Sequence, residues 1–190
     1  MRVLQIHNEY RDRGGEDVVV EREARILRDA GHHVTQLRVR NPEGGFEAAR
    51  KLAVAPWNPA SFARAEAMIE DAKPDVAHVH NTWFDLTPSV VAALHRRQVP
   101  TVMSLHNYRL MCLNGLLLRD GAPCRLCVGR GPLPGVRHRC YRGSAVGSVA
   151  AAATLSFNRA IETWDGVATF LASSAFLRQT YVLGGMPPER

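Results

Sequence analysis

Short apolar runs and longer amphipathic stretches take turns along the chain. Arg2-Val3-Leu4-Gln5-Ile6-His7 predicts a first strand, and Asn8 to Gly15 a polar loop. Val19, Val20, Ala24, Ile26, Leu27 and Ala30 then recur at helical spacing, with Gly31 as the expected stop. His33 to Val39 alternates like a second strand, completing a βαβ unit whose crossover should be right-handed. Residues 40–57 carry no clear period. Asn58-Pro59 opens a helix as N-cap and first residue, with Phe62, Ala65, Ile69 and Ala72 on one stripe and Lys73-Pro74 as the stop.

Asp75 to His80 reads as the next strand, with Asn81-Thr82-Trp83-Phe84 as its polar and aromatic exit. Thr87-Pro88 caps a helix that turns Val90, Val91 and Leu94 inward. Val99-Pro100 leads into the strand Thr101–Leu105, which delivers His106-Asn107-Tyr108-Arg109 at its end. One long helix is expected from Ser144 to Trp164, with Val149, Ala153, Phe157, Ile161 and Trp164 on its inward face. Gly166 to Leu171 is a further strand, Ser173-Ser174 caps a last helix that Gly184-Gly185 ends, and Met186 to Arg190 reads as the start of a linker. Strands alternating with helices predict an α/β fold: a doubly wound, mostly parallel Rossmann-like sheet over residues 1–190, with a Cys-rich insertion at 112–140.

Composition changes this picture little. A chain of 190 residues, 46% apolar and 22% charged, can bury one good core. No stretch is long and apolar enough to span a bilayer, and Met1-Arg2-Val3-Leu4 enters a strand with no signal core, so a cytoplasmic protein is expected. The net charge of +6 gathers at His95-Arg96-Arg97 and at Arg130, Arg137, His138, Arg139 and Arg142. Such patches are commonly solvated faces, and they also suit anionic lipid at the inner membrane surface or a phosphorylated small molecule. Nucleic acid ranks behind, because no aromatic-interleaved motif or recognition helix accompanies the charge.

Several residues could carry chemistry. Gly14-Gly15 ahead of a helix lets backbone approach a ligand, and a helix N-terminus favours an anion. Glu16 and Asp17 in the first turn could satisfy that dipole themselves, and the absence of G-x-G-x-x-G argues against a tightly held dinucleotide. His78 and His80 share one strand face; they could bind zinc given a third ligand, or serve as hydrogen-bonded crevice residues. His106 closes a strand, where an imidazole can bond a sugar hydroxyl or exchange protons near neutral pH, or simply bond backbone. Cys112, Cys124, Cys127 and Cys140 are spaced C-x11-C-x2-C-x12-C. In a cytosolic chain this suggests a closed structural zinc site with His138 as a substitute ligand; a redox pair, an iron–sulfur cluster or four unconnected thiols are the alternatives.

Taken together, the Gly14-Gly15-Glu16 loop, Asp75-Val76-Ala77-His78-Val79-His80-Asn81 and Ser104-Leu105-His106-Asn107-Tyr108-Arg109 resemble the N-terminal domain of family-four, GT-B-fold retaining glycosyltransferases. Cys112-Leu113-Asn114-Gly115 and His138-Arg139-Cys140-Tyr141-Arg142 resemble a subset of those enzymes. The resemblance implies the acceptor-binding half of an enzyme that moves a sugar from a nucleotide sugar to a hydroxyl acceptor, in surface polysaccharide or glycolipid synthesis. It implies a sugar or lipid-linked acceptor, His106 beside the donor sugar, and Gly14, Gly15, Glu16, Asp17, Asn81, Asn107, Tyr108 and Arg109 near donor phosphate or acceptor. The nucleotide and the paired glutamates would belong to a C-terminal domain that this sequence does not contain, so the fragment alone should be inactive. The competing reading is a non-catalytic Rossmann-like module whose zinc loop and basic patch bind a partner or nucleic acid.

Overall fold

The structure is a computed structural model that describes residues 1–10, 12–41 and 45–190. Arg11 in the polar loop and residues 42–44 in the aperiodic stretch lie outside the described residues.

Strands β1 (Arg2–Glu9), β2 (His33–Arg40), β3 (Val76–Val79), β4 (Thr101–Leu105) and a later strand, Thr169–Ala172, make one parallel sheet. Its order is β2-β1-β3-β4 and then that last strand. Helix α1 (Gly15–Asp29) lies between β1 and β2 in the chain, and its end meets Gly31, whose φ of +81° suits glycine. Helix α2 (Gly45–Ala53) falls in the stretch that showed no period. Helix α3 (Pro59–Ala72) begins as expected, with Asn58 Oδ1 accepting from the Ala60 and Ser61 amides at 3.1 and 3.3 Å. Helix α4 (Ser89–Arg96) follows β3, and the Thr87 hydroxyl accepts from the Ser89 amide at 3.3 Å.

The insertion after β4 holds a two-residue hairpin, β5 (Leu118–Arg119) with β6 (Ala122–Pro123), and the short helix α5 (Leu133–Arg137). Gly135 is pressed so closely on Leu113 that a Cβ would lie 2.7 Å from that side chain. Trp83 Nε1 donates to Tyr141 Oη at 3.0 Å, joining the insertion to the exit of β3.

Helix α6 (Ala145–Ala160) is shorter and turned differently from the expectation. Glu162 takes a left-handed conformation (φ +54°), and Trp164 falls in a 3-10 turn, Thr163–Gly166. The predicted inward face is the outer one: Val149, Phe157 and Ile161 are exposed, whereas Ala151, Ala152, Leu155 and Asn158 are buried. Small residues let the backbone come close to the Trp83–Tyr141 cluster, and Asn158 fastens the helix by donating to the Pro56 carbonyl at 2.9 Å. Strand β7 (Thr169–Ala172) starts later than expected. Helix α7 (Ala175–Leu183) is capped by Ser174, as expected, and meets Gly184. The tail folds back, the Phe170 amide donating to the Arg190 carbonyl at 2.7 Å.

Two cores flank the sheet. On one face Leu4, Ile6, Leu37, Ala77, Val79 and Met103 meet Ala65 and Ile69 of α3 and Val90, Val91 and Leu94 of α4. The face under α1 has only a small apolar cluster of Val3, Ala24 and Val34. Beyond that cluster it is polar: Gln5, His7, Gln36, His78, His80 and Ser104.

Candidate active site

The strand order reverses between β1 and β3, which makes the crevice outside their carboxyl ends the place where an open α/β sheet takes a ligand. Three histidines converge there: His7 near the end of β1, His80 just past β3 and His106 just past β4. Period-two alternation sends Gln5 and His7 to the α1 side while Leu4 and Ile6 enter the apolar core.

The hydrogen bonds among these groups fix the imidazole tautomers. Gln5 Nε2 donates to the Val20 carbonyl at 3.2 Å, and Gln5 Oε1 accepts from Gln36 Nε2 at 2.6 Å. The same Gln5 amide nitrogen lies 3.2 Å from His80 Nε2, so that ring nitrogen accepts. His80 must then carry its proton on Nδ1 and donate to His106 Nε2, 3.1 Å away. His106 is left with its proton on Nδ1, ready to donate to an oxygen acceptor. Burial lowers the His106 pKa from its ordinary value; Glu16 opposes this and His7 adds to it. At neutral pH the ring is therefore a neutral, directional donor. Burial, and then the neighbouring imidazoles, pushes His80 down to about 2, while burial and His106 push His78 down to about 4.

The first turn of α1 meets the loop after β4. Asn107 Nδ2 donates to Glu16 Oε1 at 2.7 Å and contacts Tyr10 Oη at 3.4 Å. The Gly14-Gly15 turn and the His106 loop are thereby neighbours across one cleft. A Cβ on Gly15 would meet nothing within 4 Å, so this backbone is open to approach. Gly14 donates its amide to Asp17 Oδ2 at 2.6 Å, and Asp17 Oδ1 bonds His7 Nε2 at 2.8 Å. Burial alone would raise the Asp17 carboxyl, but the Gly14 amide and His7 outweigh it and hold it below the usual carboxylate range. Asp17 thus caps its own helix.

Asn81 also works within the chain. Its Nδ2 donates to the Asn8 carbonyl at 2.8 Å and its Oδ1 accepts from the Trp83 amide at 2.9 Å. Tyr108 stacks on Tyr181, with ring centroids 6.2 Å apart. Arg109 sets its guanidinium 5.8 Å from the Trp83 ring centroid and lines a pocket shared with His80, His106, Asn107 and Leu155. The cleft therefore offers a neutral imidazole N–H, an amide, a carboxylate and one guanidinium, a set that suits hydroxyls and an anionic group together.

The model of the glycosyl transferase 4-like domain family matches residues 14–190, from the first turn of α1 to the last residue. The chain belongs to this family. No curated protein matches it. The family is one of glycosyltransferase domains, and the cleft just described is the candidate active site. Among the described residues, no helix is long and apolar enough to cross a membrane.

The four cysteines of this glycosyltransferase domain are all free, and all line one small cavity together with His138. No three of their sulfurs lie within 4.8 Å of one another. Burial raises the Cys127 and Cys140 thiols. His7, Gln5, Tyr10 and Glu23 join the site without having been singled out by sequence. The alternation of Gln5 and His7 with Leu4 and Ile6 signals a polar sheet face; nothing in a solvated-looking helix position marks Glu23.

Proposed function

We propose that this chain is the acceptor-binding half of a retaining, GT-B-type glycosyltransferase that moves a sugar from a nucleotide sugar to a hydroxyl of a sugar or lipid-linked acceptor. The observation that supports it most is the His80–His106 pair beside the first turn of α1, tied by the Asn107–Glu16 bond of 2.7 Å. His106 Nδ1–H would orient the transferring sugar. The backbone at Gly15 and the positive end of α1 would face the donor diphosphate, where charge develops as the glycosidic bond breaks. Arg109 would meet a phosphate of donor or acceptor, and Glu16 an acceptor hydroxyl. The nucleotide would be held by a second domain, so this domain alone is expected to turn over no donor. Surface polysaccharide or glycolipid synthesis at the inner face of a membrane is the setting that a lipid-linked acceptor and the basic patches favour.

In the insertion, Cys112, Cys124, Cys127 and Cys140 would hold a structural zinc, their sulfurs drawing together around the cavity they already share. The test of the transferase reading is turnover of a panel of nucleotide sugars by the enzyme carrying this domain, with the product anomer read by NMR. Expected is transfer with retained configuration that His106→Ala lowers at least about a hundredfold. An inverted product, or full transfer by that variant, overturns the reading.

A further inference from the structure

Behind the cleft lies a second constellation. Glu23 of α1 directs Oε2 at two imidazoles, 3.4 Å from His78 Nδ1 and 3.3 Å from His80 Nε2. One ligand atom from each of these residues falls within 4.8 Å of the other two. That carboxylate oxygen is buried, yet it makes no hydrogen bond, because neither contact has hydrogen-bond geometry. In a tetrahedral site with bonds of about 2.0–2.1 Å, ligand atoms stand about 3.3–3.4 Å apart, which is the spacing observed for both contacts.

The outer nitrogens complete the pattern. His78 Nε2 lies 2.8 Å from Ser104 Oγ, and His80 Nδ1 lies 3.1 Å from His106 Nε2. Metal-bound imidazoles characteristically donate their other N–H to a fixed acceptor, which sets tautomer and ring orientation. Both rings here have such a partner, and the tautomer deduced for His80 leaves Nε2 with its lone pair facing Glu23. Gln5 Nε2 competes for that lone pair at 3.2 Å, and it retains the Val20 carbonyl when a metal takes its place.

We infer that Glu23, His78 and His80 bind a divalent transition-metal ion of the zinc type. Two imidazoles and a carboxylate suit zinc and reject the hard, oxygen-seeking magnesium and calcium. Three protein ligands leave one position for water. The ion clamps α1 onto β3 and holds His80 Nδ1–H against His106, so Glu23 and His78 act as positioning residues for the cleft. Metal binding at these three side chains does not depend on the sugar-transfer reading, and either can fail alone.

The test uses the whole chain stripped with chelator and titrated with Zn²⁺ or Co²⁺ alone. Cobalt separates this site from the cysteine cavity, since only thiolate ligation gives strong sulfur-to-metal charge-transfer absorption. Expected is one equivalent bound with visible bands but no charge-transfer absorption, beside the equivalent that the cysteine cavity takes with charge transfer, and the first is weakened at least about tenfold by Glu23→Gln and by His78→Gln. Should His78→Gln fail to fold, the partly exposed Glu23→Gln decides, with zinc raising the melting temperature of the parent chain by more than that of this variant. Undiminished metal uptake by Glu23→Gln, or bound cobalt that shows only thiolate absorption, overturns the proposal, as does an absence of binding.

Discussion

On one face of the sheet Leu4, Ile6, Val79 and Met103 press against α3 and α4; on the other, Gln5, His7, His78 and His80 lie under α1. Both sets are largely buried. The apolar face is held by burial, which tolerates many shapes so long as volume is filled. The polar face is held by directed bonds, because each buried polar group destabilises the fold unless it finds a partner. Parallel sheets are ordinarily apolar on both sides, so a polar face at the topological switch point marks where stability has yielded to chemistry.

The contrast can be broken from either side. The largest expected effect is functional: His106→Ala should lower sugar transfer by the full enzyme about a hundred- to a thousandfold, with a smaller loss of stability, about 1–3 kcal/mol, because the His80 Nδ1–H is left without its acceptor. Equal losses in both measurements would mean that the ring is structural. Leu94→Ala on the apolar face should do the reverse, costing about 3 kcal/mol in urea denaturation with transfer per folded molecule preserved.

Acid should discriminate next. His78 and His80 are held neutral in the folded chain, with pKa values near 4 and 2, and they rise to the ordinary value on unfolding. Below about pH 6.5 the unfolded chain binds protons that the folded chain refuses. Stability is therefore complete above that pH and falls as pH drops towards 4, at up to about 1.4 kcal/mol per pH unit for each histidine. Asp17 adds a loss in the same direction only below the ordinary carboxylate range. Chelator-treated protein, melted at a series of pH values, should show this slope, and His78→Gln should flatten it. The smallest effect is expected from Glu16→Gln, which weakens the bond to Asn107 and should cost about 1 kcal/mol.

Much of the fold was legible because periodicity and caps are local. Asn58, Ser174 and Gly31 act at the predicted ends of their helices, since each interaction spans only a few residues. Helix α6 was misread because its stripe of Val149, Phe157 and Ile161 has the right spacing, but the Trp83–Tyr141 cluster accepts only the small side. No glycine or proline announces the left-handed turn at Glu162. His106 was readable as a polar residue closing a buried strand.

By itself the sequence determined the alternation of strands and helices, the capped boundaries and the placing of polar residues at strand ends, because side-chain period and backbone sterics act over a few residues. Tertiary structure alone decided that Glu23 meets His78 and His80, that Asp17 turns inward to His7, and that Asn107 reaches Glu16 across 91 positions of chain. Such meetings depend on the order in which the strands assemble, and strand order is set by the packing of the whole sheet.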